Sequence, residues 1–176
     1  MLSRYFPDGY ARDVFSIDYR RLYDSGCRGI IFDLDNTLVH HGEPSTPEID
    51  ELFRKIRGTG LKTVLLTNND QERVELFIRN IDTDYICDAG KPDPGGYFAA
   101  LEKMGLPPEK ALVIGDQVFI DILGANRSGI RSVLVHYIEA PGERWIGFRR
   151  YAEKAILLVW RLRKRLRSIT YHKKEN

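Results

Sequence analysis

Phe32-Asp33-Leu34-Asp35-Asn36-Thr37-Leu38 follows on the apolar run Gly29–Phe32 and sets two carboxylates at the end of what reads as a buried strand. Three later segments repeat the arrangement: Leu66-Thr67-Asn68-Asn69, Gly90-Lys91-Pro92-Asp93, and Gly115-Asp116 with Asp121 five residues on. Each lies at or just beyond the end of an apolar run. In an open parallel α/β sheet the carboxyl ends of the strands face ligands, so four segments scattered along the chain are expected to converge in space.

Working outward from these segments, apolar runs alternate with helical patterns, the rhythm of a parallel sheet covered by helices. Strands are expected at Gly29–Phe32, Leu61–Leu66, Tyr85–Cys87, Ala111–Ile114 and Ser132–Tyr137. Thr46-Pro47-Glu48 supplies a cap and a first-turn proline for a helix through about Arg57, stopped by Gly58 and Gly60. Gln71–Asn80 reads as a second helix, Pro94 to Met104 as a third ending at Gly105, and Phe119–Ser128 as a fourth ending at Gly129. Ile17–Asp24 reads as one more helix ahead of the first strand.

The residue types at the convergence suit phosphoryl transfer. Carboxylates hold a divalent ion, hydroxyl and amide groups bind phosphate oxygens, and a lysine neutralises them. Asp33 and Asp35 are two apart, so both side chains leave the strand end on one side, where one attacks phosphorus and the other moves a proton. Taken singly, Asp33-x-Asp35 is an ordinary solvated strand end, Thr67 a helix cap and Lys91 a turn lysine; their order and position argue for a site.

The set Asp-Leu-Asp-Asn-Thr-Leu, Leu-Leu-Thr-Asn-Asn, Gly-Lys-Pro-Asp-Pro and Gly-Asp-Gln-Val-Phe-Ile-Asp-Ile-Leu-Gly-Ala-Asn resembles the haloacid dehalogenase superfamily. Within it, the set is similar to the YqeG-like branch of the subclass IIIA phosphatases, relatives of phosphatidylglycerophosphate phosphatases, over about Gly29 to Val135. The resemblance implies a Rossmann-like parallel sheet flanked by helices and a Mg²⁺-dependent hydrolysis of phosphate monoesters. Asp33 would be the nucleophile that becomes an aspartyl-phosphate, and Asp35 the acid and base. Thr67, Asn68 and Lys91 would bind phosphate, while Asp33, the Asp35 carbonyl and Asp116 would hold Mg²⁺ with Asp121 behind them. Asp33 to Thr67 and Thr67 to Lys91 span 34 and 24 residues, too few for the family's inserted cap. A capless site with an open mouth follows, its water excluded by a subunit neighbour, the C-terminal tail or a bulky substrate.

Neighbouring residues carry weaker expectations. Asn36 is expected to hold a left-handed turn, with substrate contact the alternative. His40 and His41, on the loop leaving the first segment, read mainly as solvated, with contact to a leaving group the alternative. Gln117 and Asn126 read either as support for the metal-side loop or as caps.

The 176 residues, 43% hydrophobic, suit one domain with a sizeable core. Cys27 and Cys87 make neither a disulfide framework nor a zinc pattern, which favours free thiols in a reducing compartment. The N-terminus lacks the apolar core of a signal peptide and no run has membrane-span length, so the expected location is cytoplasmic. The net charge of +2 conceals an asymmetry: 16 Lys/Arg against 22 acids in a catalytic body over residues 1–142, and 11 against 3 in a tail over residues 143–176.

In that tail, Trp145, Phe148, Ala152, Ala155, Val159, Leu162, Leu166 and Ile169 make an apolar stripe on one amphipathic helix, beside the basic run Arg161 to Arg167. Docking on its own domain, peripheral contact with an anionic membrane, nucleic-acid binding and a short coiled coil all remain open for it. An RNA- or ribosome-associated binding protein built on the same scaffold is the alternative to an enzyme.

Overall fold

The structure, a computed structural model, describes residues 2–138 and 148–172, the side chains of 148–150 and 164–172 excepted. Six parallel strands form one sheet: β1 (Gly9–Ala11), β2 (Gly29–Phe32), β3 (Lys62–Leu66), β4 (Asp84–Ile86), β5 (Ala111–Gly115) and β6 (Arg131–Val135), ordered β1-β6-β5-β2-β3-β4. Central β2 is buried at all four residues, as a strand covered on both faces must be. Ile30 and Phe32 meet Leu65, Leu112 and Ile114 on one face, whereas Ile31 meets Val64, Leu66 and Val113 on the other.

Helices cover both faces. α1 (Tyr19–Asp24), α2 (Pro47–Gly58) and α3 (Gln71–Phe77) contribute to the first cluster, and α4 (Pro94–Met104) and α5 (Leu123–Arg127) to the second. Their ends follow local chemistry. Thr46 caps α2 by accepting from the Ile49 N–H ahead of Pro47, and Ile49, Leu52, Phe53 and Ile56 then form the buried stripe. Asp70 and Asp93 cap α3 and α4, and Gly105 closes α4 in the left-handed conformation at φ 62°.

Three features depart from the sequence reading. Strand β1 was not foreseen, because three residues carry no alternation; it pairs with β6 from Gly9↔Val133 to Ala11↔Val135. The expected helix over Phe119–Ser128 opens instead as a π turn, Val118–Ile122, before α5. Asn126, read as support for a metal-side loop or as a cap, instead donates to the Arg4 and Phe6 carbonyls and ties down the N-terminal segment.

The C-terminal helix α6 (Phe148–His172) presents a different face to the body than the expected stripe. Ile156 and Leu157 pack against Val118, Ile122 and Leu134, and Glu153 is buried. Val159 and Leu162 of the expected stripe are exposed, as are Tyr151 and Leu158. Trp145 lies outside the described residues, as do the side chains of Phe148, Leu166 and Ile169. The docked face lies beside the expected one on the helical wheel, since helical residues sit about 100° apart. Among the described residues no helix is long and apolar enough to cross a membrane.

Candidate active site

The strand order reverses between β2 and β5, and this switch point brings the ends of the two strands together. Phe32 pairs with Ile114, the Asp33 N–H donates to the Ile114 carbonyl at 2.9 Å, and Asp116 follows one residue after β5. On the other side, the Thr67 N–H donates to Ile86 and the Ala89 N–H to Thr67, which steers the Gly90-Lys91 loop back over the sheet. All four expected segments therefore meet at one end of the sheet.

Asp33, Asp116 and Asp121 are buried, with one carboxylate oxygen from each within 4.8 Å of the others. Lys91 Nζ, 3% exposed at its side chain, donates to Asp33 Oδ1 at 2.6 Å and to Asp121 Oδ1 at 2.8 Å. Burial alone would depress the Lys91 ammonium; the charges of Asp121 and Asp33 outweigh it and hold it above its usual range. Burial and the Asp33 charge raise Asp121 despite its bonds to Lys91 and the Gln117 N–H.

Local sequence makes this packing possible. Asp121 sits in the π turn, and a Cβ at Gly115 would run into its carboxylate. The Tyr97 hydroxyl donates toward the Ile120 and Asp121 carbonyls at 3.3 and 3.4 Å, over a backbone that Gly124 leaves bare. Tyr97 therefore supports the widened turn from below.

Asp35 occupies a separate setting. It accepts from Arg73 Nη2 at 2.7 Å, Asn69 Nδ2 at 2.6 Å and the Gly42 N–H at 3.2 Å, and His41 Nδ1 lies 3.1 Å away. Burial raises its carboxyl, but the Arg73 and Asn69 hydrogen bonds and the Arg73 charge prevail and hold it below the ordinary value. The left-handed turn expected at Asn36 is present, at φ 62°, and its side chain accepts from the His41 N–H.

Thr67 Oγ1 accepts from the Asn69 N–H and side-chain amide, so its own hydrogen points elsewhere. The Asn68 side chain bonds the Lys91 backbone in both directions, at 2.7 and 3.1 Å, and fixes the lysine's loop. Sequence reasoning missed three contributors. Thr37 donates to Asp33 Oδ2 at 2.7 Å and contacts Asp116 Oδ1 at 3.3 Å; Asn69 and Arg73 hold Asp35. Arg73 had one available signal: it is the third residue of a helix that starts beside a strand end, where the first turn faces the site.

Residues 41–129 match the family model described as haloacid dehalogenase-like hydrolase. The chain is similar to "Probable phosphatase YqeG" of Bacillus subtilis, 36% identical over 89% of this chain and 92% of that protein. It is also similar to phosphatidylglycerophosphate phosphatase 1, chloroplastic, of Chlamydomonas reinhardtii, 29% identical over 78% of this chain and 55% of that protein. Among solved structures, NagD from E. coli K-12 superposes with a TM-score of 0.54 at 15% identity, over 68% of this chain and 94% of that one. An Asp-lined switch point, a buried lysine between two of its carboxylates and these likenesses agree: the chain belongs to the haloacid dehalogenase-like hydrolases and is a phosphatase.

Proposed function

We propose that the protein hydrolyses phosphate monoesters through an aspartyl-phosphate on Asp33. The carrying observation is the placement of Asp33, whose carboxylate is held by both Lys91 Nζ and Thr37 Oγ1 at the switch point. An Asp33 oxygen attacks phosphorus, the ester P–O bond breaks, and the leaving oxygen takes a proton from Asp35. Water then attacks the phosphorus of the acyl phosphate, gives its proton to Asp35 and releases inorganic phosphate from Asp33.

Asp33 and Asp116, with Asp121 behind and the Asp35 carbonyl alongside, would hold Mg²⁺, which offsets repulsion between the attacking carboxylate and the phosphate dianion. Lys91 balances the charge that remains, and Thr67 retains a hydroxyl hydrogen for a phosphate oxygen. Arg73 favours ionised Asp35, the state needed to accept the proton of water; the approaching phosphate dianion raises the Asp35 pKa toward the state needed to give one.

For the substrate, the likeness to a phosphatidylglycerophosphate phosphatase supports a phospholipid head-group phosphate. The exposed Leu158 and Leu162, beside Arg161 and Arg163 on α6, suit peripheral contact with an anionic membrane. Hydrolysis of p-nitrophenyl phosphate with and without Mg²⁺, by wild type and Asp33→Asn, tests the reaction. The amide fills nearly the same volume but is a poor nucleophile, so the expected result is Mg²⁺-dependent turnover lost in the folded variant. Measurable turnover by Asp33→Asn would remove the covalent route.

A further inference from the structure

Of the buried acids among the described residues, the reaction on Asp33 leaves one unused. Glu153 of α6 is 6% exposed and stands on the docked face of the helix, three and four residues before Ile156 and Leu157, which pack against Val118, Ile122 and Leu134. For docking alone an apolar side chain would serve better there, because a carboxylate taken out of water is costly unless hydrogen bonds replace its hydration. Its Oε1 accepts from the Val118 N–H at 3.0 Å.

That N–H belongs to the peptide unit joining Gln117 to Val118, and the other end of the same unit closes the π turn. The Gln117 carbonyl accepts from the Asp121 N–H at 2.9 Å and from the Ile122 N–H at 3.2 Å. In a trans peptide the carbonyl and the N–H point in opposite directions, so a bond at one end fixes the direction of the other. The preceding unit, Asp116 to Gln117, is held through its N–H on Asp121 Oδ2 at 3.0 Å. Two successive peptide units after Asp116 are thus each tied to a carboxylate, one from within the turn and one from α6. Val118 is the first residue of the turn, where winding offers its N–H no partner, and the Gln117 side chain makes no capping bond. Glu153 supplies that cap from 35 residues away.

Resting on the reading of a Mg²⁺-dependent phosphomonoesterase, we infer that Glu153 is a positioning residue for the metal site. Through the Gln117–Val118 peptide it fixes the turn that aims Asp121 and steadies the chain that leaves Asp116. Residues 41–129 carry the family match, so this fastening comes from a helix beyond the matched core. The metal site depends on α6 through one hydrogen bond, over and above the apolar contacts that dock the helix.

Melting temperature followed against Mg²⁺ concentration, on the full chain without substrate, reads both the fold and the site. Glu153→Leu removes the acceptor while extending the apolar docking face. It should keep its melting temperature in the absence of Mg²⁺ and bind the ion about tenfold more weakly, the lower end of what losing a partner behind a metal ligand costs. Glu153→Gln retains a carbonyl acceptor in nearly the same volume and should stay within about threefold of wild type. Ile156→Ala is the packing control: it should lower the melting temperature without Mg²⁺ yet hold Mg²⁺ affinity within about twofold. The Mg²⁺ concentration giving half-maximal hydrolysis of p-nitrophenyl phosphate should move with the binding constant, while KM at saturating Mg²⁺ changes little. Should Glu153→Leu not fold, Val118→Pro deletes the donor instead, at a first-turn position that admits proline after extended Gln117 (φ −116°, ψ 120°), and the same loss is expected.

Wild-type Mg²⁺ affinity in the variant lacking acceptor or donor overturns the assignment. An equal loss in Glu153→Gln would trace the effect to charge, and an equal loss in Ile156→Ala to docking in bulk; either overturns it as well. The parent reading fails by a different sign, the absence of Mg²⁺-dependent hydrolysis of p-nitrophenyl phosphate by wild type. Intact hydrolysis with equal Mg²⁺ affinity across the variants would strike the role of Glu153 alone.

Discussion

Asp33 and Asp35 stand two residues apart yet belong to opposite flanks of the site. Asp33 lies with Asp116, Asp121 and Lys91 in a buried pocket of alternating charge, closed by a π turn and a bare glycine. Asp35 lies at the mouth, tied to Arg73, Asn69 and His41. The inner flank is short of positive charge and the outer flank is supplied with it. Two chemically identical side chains thereby sit in different electrostatic settings, and the proposed mechanism gives them different duties: one would meet the cation and the phosphate, the other would move the proton.

Removing Lys91 puts the greatest load on this contrast. In Lys91→Ala the buried carboxylates of Asp33 and Asp121 lose their shared cation, and turnover should fall by about 10²–10³, the loss expected for a preorganised charge near the reacting oxygen. Steady-state rates within threefold of wild type would reduce Lys91 to a structural turn residue. The melting temperature of the variant should also rise on Mg²⁺ addition by more than that of wild type, because the uncompensated inner flank gains more from the ion.

Arg73→Met probes the outer flank. It removes the hydrogen bond and charge that hold Asp35 ionised, leaving Asn69, Gly42 and His41 as neighbours, so kcat should fall by about tenfold, at the lower end of a proton-transfer contribution, with KM changing less. An equal rise in KM with kcat intact would instead place Arg73 on the substrate. The smallest effect is expected for His41→Gln. Its side chain is 68% exposed, and a surface contact of this kind contributes little, so kcat/KM should stay within about twofold at neutral pH. A larger loss would move His41 into the outer flank as a working member.

The two flanks were unequally legible in the sequence. Every member of the inner one follows a strand end or sits a fixed step beyond it, so Asp33, Lys91, Asp116 and Asp121 could be read from apolar runs and the residues terminating them. Thr37 and Arg73 come from a loop and a helix's first turn, where periodicity carries no information about which side chain reaches a carboxylate. β1 escaped notice because three residues held by a single backbone ladder at the sheet edge show no pattern of their own. The docked face of α6 was misjudged for a related reason: apolar residues occur around much of its circumference, and Glu153, bonded to Val118, rotates a charged residue inward where hydropathy alone would turn it out.

The π turn at Val118–Ile122 bears on what heredity can do with this segment. Its wider ring accommodates one residue more than a regular helical turn, and that residue governs the direction in which Asp121 points. Deleting one residue here would restore regular winding and turn Asp121 away from its bonds to Lys91 and the Gln117 N–H. The length of the interval between Gly115 and Leu123 is therefore constrained along with the identities of Gly115, Asp116 and Asp121. An insertion or deletion, tolerated in most surface connections, would here misdirect the carboxylate that the stretch aims.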